Sequence, residues 1–334
     1  MNELQIYDSN SLGDLIFAEV DRLTPDFYVA HFQDFLPQYI SHGNPSADTL
    51  ANYTHEIKNF LYWCGEHRAH PLALKNAHCR IYLRYMIEKN YSPASLKLKI
   101  SAARIFYKIA VKLELINENP FDEIKTKSPE TDDTKFKFLT EEQIIRVGKK
   151  ILDEPNEIFR KRNLAIFMLM TVEGLRNVEV HRMNDEDINF ETRSIYIRGK
   201  GHNDFIYPCS DTIKAIREYL EVRPYAKKDG ALTPTFISLS NFNRGNRISR
   251  NSLRLVINQI LKLCDLKTKG ASCHMLRHSC GTNLYRVTKD LRLVQETLRQ
   301  KNPTVTARYA HVYDRMNNRQ TEKISPFSNS NTNL

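Results

Sequence analysis

A chain of 334 residues, 41% hydrophobic and 26% charged, is long enough for two ordinary domains and has the balance of a globular protein with buried cores. Its net charge of +10 points to an anionic partner. The longest apolar run, Leu164 to Met170, is far too short to span a bilayer, so a membrane partner is not expected.

The charge is uneven. Residues 1–30 hold six acids (Glu3, Asp8, Asp14, Glu19, Asp21, Asp26) against Arg22, a net of −5. Residues 251–315 hold twelve Lys or Arg against four Asp or Glu, a net of +8. The six cysteines (Cys64, Cys79, Cys209, Cys264, Cys273, Cys280) show no C-x-x-C and no paired metal spacing. They read as reduced thiols of a cytoplasmic protein, with no metal expected. The start of the chain is acidic and lacks the charged-then-apolar pattern of a signal peptide.

In chain order, residues 1–28 form an acidic arm whose apolar cluster Leu15-Ile16-Phe17 suits either a docked helix or a mobile segment. Residues 29–124 read as a helical domain. Ser46 starts a helix carrying Leu50, Tyr53, Ile57, Phe60 and Leu61 at helical spacing. A second helix covers roughly 76–89, and a third begins with Ser92 as cap and Pro93 at the first helical position. On this third helix Lys97, Lys99, Arg104 and Lys108 interleave with the apolar stripe. Any one of them alone reads as a solvated surface residue; together they are candidates for phosphate contacts along DNA.

Residues 125–138 lack apolar periodicity and read as a linker. Thr140 with Gln143 forms a capping-box pattern that opens a second domain, 139–325. There an apolar helix near 160–173 is broken by Gly174, which leaves Arg176 at the start of a new helix. Ser194–Arg198 and Phe205–Pro208 read as a hairpin with Lys200 near its tip. Helices follow at 211–222, 249–264, 274–286, 290–300 and 304–310, and the Ser/Asn-rich tail 326–334 reads as disordered. The fold class is therefore mainly α with a small β-hairpin or sheet.

Four separated stretches combine into one chemistry. They are Gly-Leu-Arg-x-x-Glu at 174–179, Gly-Lys-Gly at 199–201, His-x-Leu-Arg-His at 274–278, and Tyr-x-His-Val at 309–312. His274 and Arg277 are three apart on a helix and share a face, giving a ring donor beside a guanidinium fork suited to phosphate. In this order and spacing, the stretches resemble the tyrosine recombinase, or phage-integrase-like, family. The resemblance covers about 138–316.

It implies a two-domain protein with a helical, SAM-like core-binding domain and a mixed catalytic domain that clamp double-stranded DNA. It implies site-specific recombination through a 3′-phosphotyrosyl intermediate, by a tetramer acting on two sites, with no cofactor. By the same resemblance Tyr309 is the nucleophile, Arg176 and Arg277 grip the phosphate, and Lys200 protonates the leaving oxygen. His274 hydrogen-bonds the phosphate and assists proton transfer, and Glu179 orients the basic groups. Residues 311–325 are the candidate segment for exchange between protomers.

The sequence departs from the family pattern nine residues before the tyrosine, where Gly-His, or a tryptophan for the His, is usual and Arg299-Gln300 stands here. Gln300 keeps a hydrogen-bond donor there but cannot exchange a proton. His278 reads as a packing residue, and Tyr313 is a rival nucleophile one turn on. Two other functions share these residues: a DNA-binding protein that no longer cuts, and a type IB topoisomerase. The helical first domain favours a recombinase.

Overall fold

The computed structural model describes residues 29, 32, 34–127, 136–199 and 203–317. The acidic arm 1–28, the middle of the linker, the hairpin tip with Lys200, and residues 318–334 lie outside the described residues. The chain divides into two compact units between Thr131 and Asp132.

The first unit is helical. A single turn at Leu36–Tyr39 precedes α1 (Ala47–Glu66), α2 (Asn76–Glu88) and α3 (Pro93–Lys112). Ser46 and Ser92 cap α1 and α3 by accepting from the backbone N–H three residues on. Phe60 sits at the centre of the core, with the rings of Tyr82, Phe121, Tyr107 and Phe106 at 5.1, 5.5, 5.9 and 6.3 Å. Most of these pairs meet edge-on, the geometry that the ring quadrupole favours. The buried Tyr107 hydroxyl donates to the Pro71 carbonyl at 2.6 Å, which ties α3 to the turn between α1 and α2.

Two of the four candidate phosphate-contacting residues on α3 have structural partners. Lys99 is buried; its ammonium lies 2.5 Å from the Glu56 carboxylate on α1 and over the Tyr91 ring. Arg104 donates to the Phe121 and Ile124 carbonyls and so pins the end of the unit onto α3. The expectation that both hold phosphates is therefore corrected for Lys99, whose charge is taken up inside the unit, and Arg104 has backbone acceptors of its own. Lys97 and Lys108 remain exposed, beside Arg104 and Lys125 around one shallow cavity.

The second unit has α4 (Glu141–Leu152), α5 (Glu157–Thr171), α6 (Asn177–Arg182), β1 (Ile188–Asn189), β2 (Ser194–Arg198), β3 (Asn203–Ile206), α7 (Ser210–Val222), α8 (Arg250–Leu263), α9 (Cys273–Thr288), α10 (Leu291–Thr297) and α11 (Pro303–Asn317). The sheet is antiparallel in the order β1-β2-β3, with Ile195 opposite Ile188 on one side and Ile206 on the other. Ile195 and Ile197 alternate inward while Tyr196 and Arg198 face outward. The short β1 was not expected from the sequence, because two residues show no alternation. The main core joins Ile166, Met170, Leu175, Val180, Ile195, Ile216, Leu253, Ile257 and Leu276.

The capping box at Thr140 forms in both directions: Gln143 N–H donates to Thr140 Oγ1, and Thr140 N–H donates to Gln143 Oε1. The end of the segment read as linker belongs to this unit. Lys137 Nζ donates to Thr268 and Lys269, and Phe136 packs among the aromatic rings described below.

The Lys99–Glu56 pair yields a test. Removing one member of a buried ion pair strands the other charge, so Glu56→Ala should lower stability by about 3 kcal/mol in urea unfolding. A change no larger than an exposed pair gives would mean that water screens both groups.

Candidate active site

The site is built where α5 ends. Gly174 turns the chain with φ +65, and a Cβ there would strike the Leu298 side chain and crowd Cys280, so both conformation and space require glycine. The turn delivers Arg176 to the N-cap of α6. Glu179, one turn on, accepts from Arg176 N–H at 2.8 Å and from the Arg176 guanidinium at 2.8 Å. Its other contact is Arg299, whose Nη2 lies 3.0 Å away.

Burial of Glu179 disfavours its charge, but Arg299, Arg176 and Arg277 outweigh this and hold its carboxyl below the usual value. Its stabilising effect is therefore present above the ordinary carboxyl range and is lost as pH falls through its depressed folded value.

Arg277 rises from α9 and is 4% exposed. Its guanidinium donates to the Gly174 carbonyl at 2.5 Å and to the Leu298 carbonyl. Burial and the neighbouring Arg176 push its pKa down to about 10, which still leaves it cationic at neutral pH. Arg176 keeps 34% of its side chain open to solvent, so the pair has one buried member and one reachable from outside.

His274, one turn before Arg277, keeps one side exposed, and partial desolvation of its ring together with Arg277 and Arg176 lowers its pKa, favouring the neutral ring. It borders a cavity shared with Arg250, Arg254 and Asn177.

Tyr309 lies on α11, 1% exposed. Its ring rests against Gly281 of α9: a Cβ at 281 would lie 2.8 Å from two ring carbons. Phe136 meets the ring edge-on at 5.6 Å. The hydroxyl lies 3.2 Å from Gln300 Nε2 and 3.3 Å from His278 Nδ1. Burial raises the phenol pKa, while the Gln300 hydrogen bond, Arg277 and Arg176 act in the opposite direction. Thr306 donates to Gln300 Oε1 at 2.8 Å, which turns the amide nitrogen toward the phenol.

Arg176, Glu179, Arg277, Gln300 and Tyr309 thus converge, with His274 at the edge. Lys200 lies outside the described residues. Tyr313 faces elsewhere: its ring packs on Tyr285, with Lys289 over it at 3.8 Å. Helix α11 runs on to Asn317, beyond the expected end at 310, and buries Val312; of the candidate exchange segment, 318–325 lie outside the described residues.

Sequence reasoning passed over three participants. His278 carried a signal, one turn past His274, but read as packing. Arg299 was noted only as the neighbour of Gln300. Phe136 was assigned to the linker. Among the described residues no group of three or more His, Cys, Asp or Glu side chains is placed to hold a metal ion.

Two substitutions test this arrangement. Gly281→Ala should improve helix propensity by about 1 kcal/mol, yet force the Tyr309 ring from its seat. Reduced thermal stability with loss of Tyr309 reactivity is the expected pair of results; unchanged reactivity would show that the ring has room. Glu179→Ala should cost about 3–5 kcal/mol in chemical unfolding, because it strands buried arginines.

Comparison with known proteins identifies the family. Residues 137–316 match the phage integrase family, and residues 32–117 match the phage integrase N-terminal SAM-like domain. A tyrosine recombinase XerC from Halalkalibacterium halodurans is 29% identical over 276 residues, covering 80% of this chain and 88% of that one. The structure of the XerH site-specific recombinase bound to a palindromic difH substrate shares the fold, with a TM-score of 0.69 at 17% identity over 98% of this chain and 91% of that one. A lambda integrase dimer bound to a core site does so with a TM-score of 0.64 at 17% identity, over 86% and 77%. With both family models matched over 137–316 and 32–117 and a relative aligned along 80% of its length, this chain belongs to the phage integrase family and is a tyrosine recombinase.

Proposed function

We propose that Tyr309 attacks a scissile DNA phosphate, forms a 3′-phosphotyrosyl bond and releases a 5′-hydroxyl, which later attacks back to rejoin a strand. The observation that carries this is the buried Tyr309 phenol, held by Gln300 and His278, with the buried Arg277 and the part-exposed Arg176 near enough to draw its pKa downward. Arg176 and Arg277 neutralise charge on the non-bridging oxygens, an electrostatic effect strongest in a water-poor site. Lys200 acts as general acid toward the 5′-oxygen. His274, exposed and favoured neutral, hydrogen-bonds the phosphate. Gln300 holds the phenol rather than a phosphate oxygen before DNA arrives, and Glu179 fixes the arginines.

On this reading the two units close on duplex DNA, with Lys97 and Lys108 reaching phosphates. The protein works in the cytoplasm, where two sites are paired by a tetramer. Integration, excision and resolution of a mobile element or replicon all use this chemistry.

Covalent capture tests the assignment. The protein and its Tyr309→Phe variant are incubated with fragmented DNA from the source replicon and denatured in detergent, and the attached DNA is sequenced. An adduct with the parent alone identifies the nucleophile and the site together. An equal adduct in the variant moves the nucleophile to Tyr313 or elsewhere. Specific binding without any adduct points to a protein that no longer cuts, and efficient relaxation of supercoils lacking the site points to a topoisomerase. Lys97→Ala and Lys108→Ala should each reduce the salt dependence of binding by about one unit of slope.

A further inference from the structure

The phenol of Tyr309 must lose a proton as its oxygen attacks phosphorus, and the residue nine positions earlier, Gln300, cannot take it. The hydrogen-bond directions around the hydroxyl show where that proton points. Thr306 donates to Gln300 Oε1, so the Gln300 amide nitrogen faces the phenol and donates to its oxygen. That bond occupies a lone pair and leaves the phenolic hydrogen to the other neighbour. The other neighbour is His278 Nδ1, 3.3 Å from the hydroxyl. A ring nitrogen can accept only in the neutral tautomer that carries its proton on Nε2.

The surroundings favour the neutral ring. His278 is packed under Phe136, whose ring centroid lies 4.5 Å away, and faces Arg308 and Tyr309 of α11 as well as His274 and Arg277 of its own helix. Burial and these cationic neighbours push its pKa down to about 4, so at neutral pH it is an empty acceptor. His274 lacks this geometry: it is exposed, at the edge of the cluster.

We propose that His278 is the general base of the cleavage step. The inference rests on the recombinase reading above. As the Tyr309 oxygen forms its bond to phosphorus, the phenolic proton passes to His278 Nδ1 while the bond from phosphorus to the 5′-oxygen breaks. That oxygen is protonated by the general acid. In rejoining, the 5′-hydroxyl attacks, its proton returns to the acid, and the departing phenolate recovers its proton from His278. Charge and protons balance over the cycle. Because the low basicity of the ring limits its driving force, the cationic neighbours that make it neutral also make it a quick donor on the return.

The test uses the full chain and a duplex carrying the site recovered by covalent capture, in single-turnover adduct formation. His278→Ala should slow adduct formation about 100-fold, the usual scale of general-base catalysis. Between pH 6 and 8.5 the parent rate should stay flat, whereas the variant should gain about tenfold per pH unit, as the ionised phenol supplies the reaction. A duplex with sulfur in place of the bridging 5′-oxygen removes the need for leaving-group protonation, so it should leave the His278→Ala defect unrepaired. His278→Gln, closer in size, guards against loss of fold and should show the same rising profile.

A variant within about twofold of the parent, a slowed variant with a flat pH profile, or repair by the sulfur substrate would each overturn the assignment. Any of these with a normal parent adduct leaves the recombinase reading standing. Absence of the parent adduct overturns both.

Discussion

The second unit gathers three guanidiniums in one place, and one buried carboxylate makes that concentration tolerable. Glu179 accepts from the Arg176 guanidinium and the Arg299 guanidinium, and Arg277 lies close enough to lower its pKa further. Without a central anion, three guanidiniums at this burial would repel one another and pay a desolvation cost that water could not offset. Arg277 itself donates to the carbonyls of Gly174 and Leu298 and becomes a brace between two chain segments. The arginine pair is thus held in place by the protein's own groups, the kind of preorganisation under which fixed charges act on an anion without rearranging.

The same economy explains the departure from Gly-His. Arg299 stands where the family usually has glycine, and it adopts φ +50, the left-handed conformation for which glycine is the natural choice. A non-glycine residue costs about 1–2 kcal/mol there. The side chain that imposes this cost also supplies a buried contact to Glu179 that glycine could not. Arg299 and Gln300 are therefore better seen as a paired change than as two losses: one residue joins the charge cluster and the next keeps a donor on the phenol.

Much of this was legible in the sequence because the signals were local. Ser46, Ser92 and Thr140 announce helix starts by side-chain chemistry that needs only the next three residues. Gly174 announces a break, and the order of Arg176, Arg277 and Tyr309 picks out residues that the fold gathers in the second unit. What escaped depends on residues far apart in the chain. Lys99 looks like its neighbours Lys97 and Lys108 until Glu56, 43 residues earlier, is seen beside it. Arg104 finds its acceptors at Phe121 and Ile124 only once the chain turns back. Phe136 sits in a stretch without periodicity, and its burial against Tyr309 spans more than 170 residues of sequence. No local pattern encodes such contacts.

The seat of Tyr309 has a consequence for how the protein must work. The ring is closed in by Phe136 and by the bare backbone at Gly281, its hydroxyl is held by Gln300 and His278, and 1% of its surface meets solvent. A phosphate cannot reach an oxygen so enclosed without movement of α11 or of the segment carrying Phe136. The interactions that hold the phenol are two neutral hydrogen bonds, worth only about 0.5–1.5 kcal/mol each, together with the edge contact to Phe136. Arg277, by contrast, is braced by hydrogen bonds to two carbonyls. Arg277 is therefore held by backbone on two sides, whereas the Tyr309 hydroxyl is held by side chains alone.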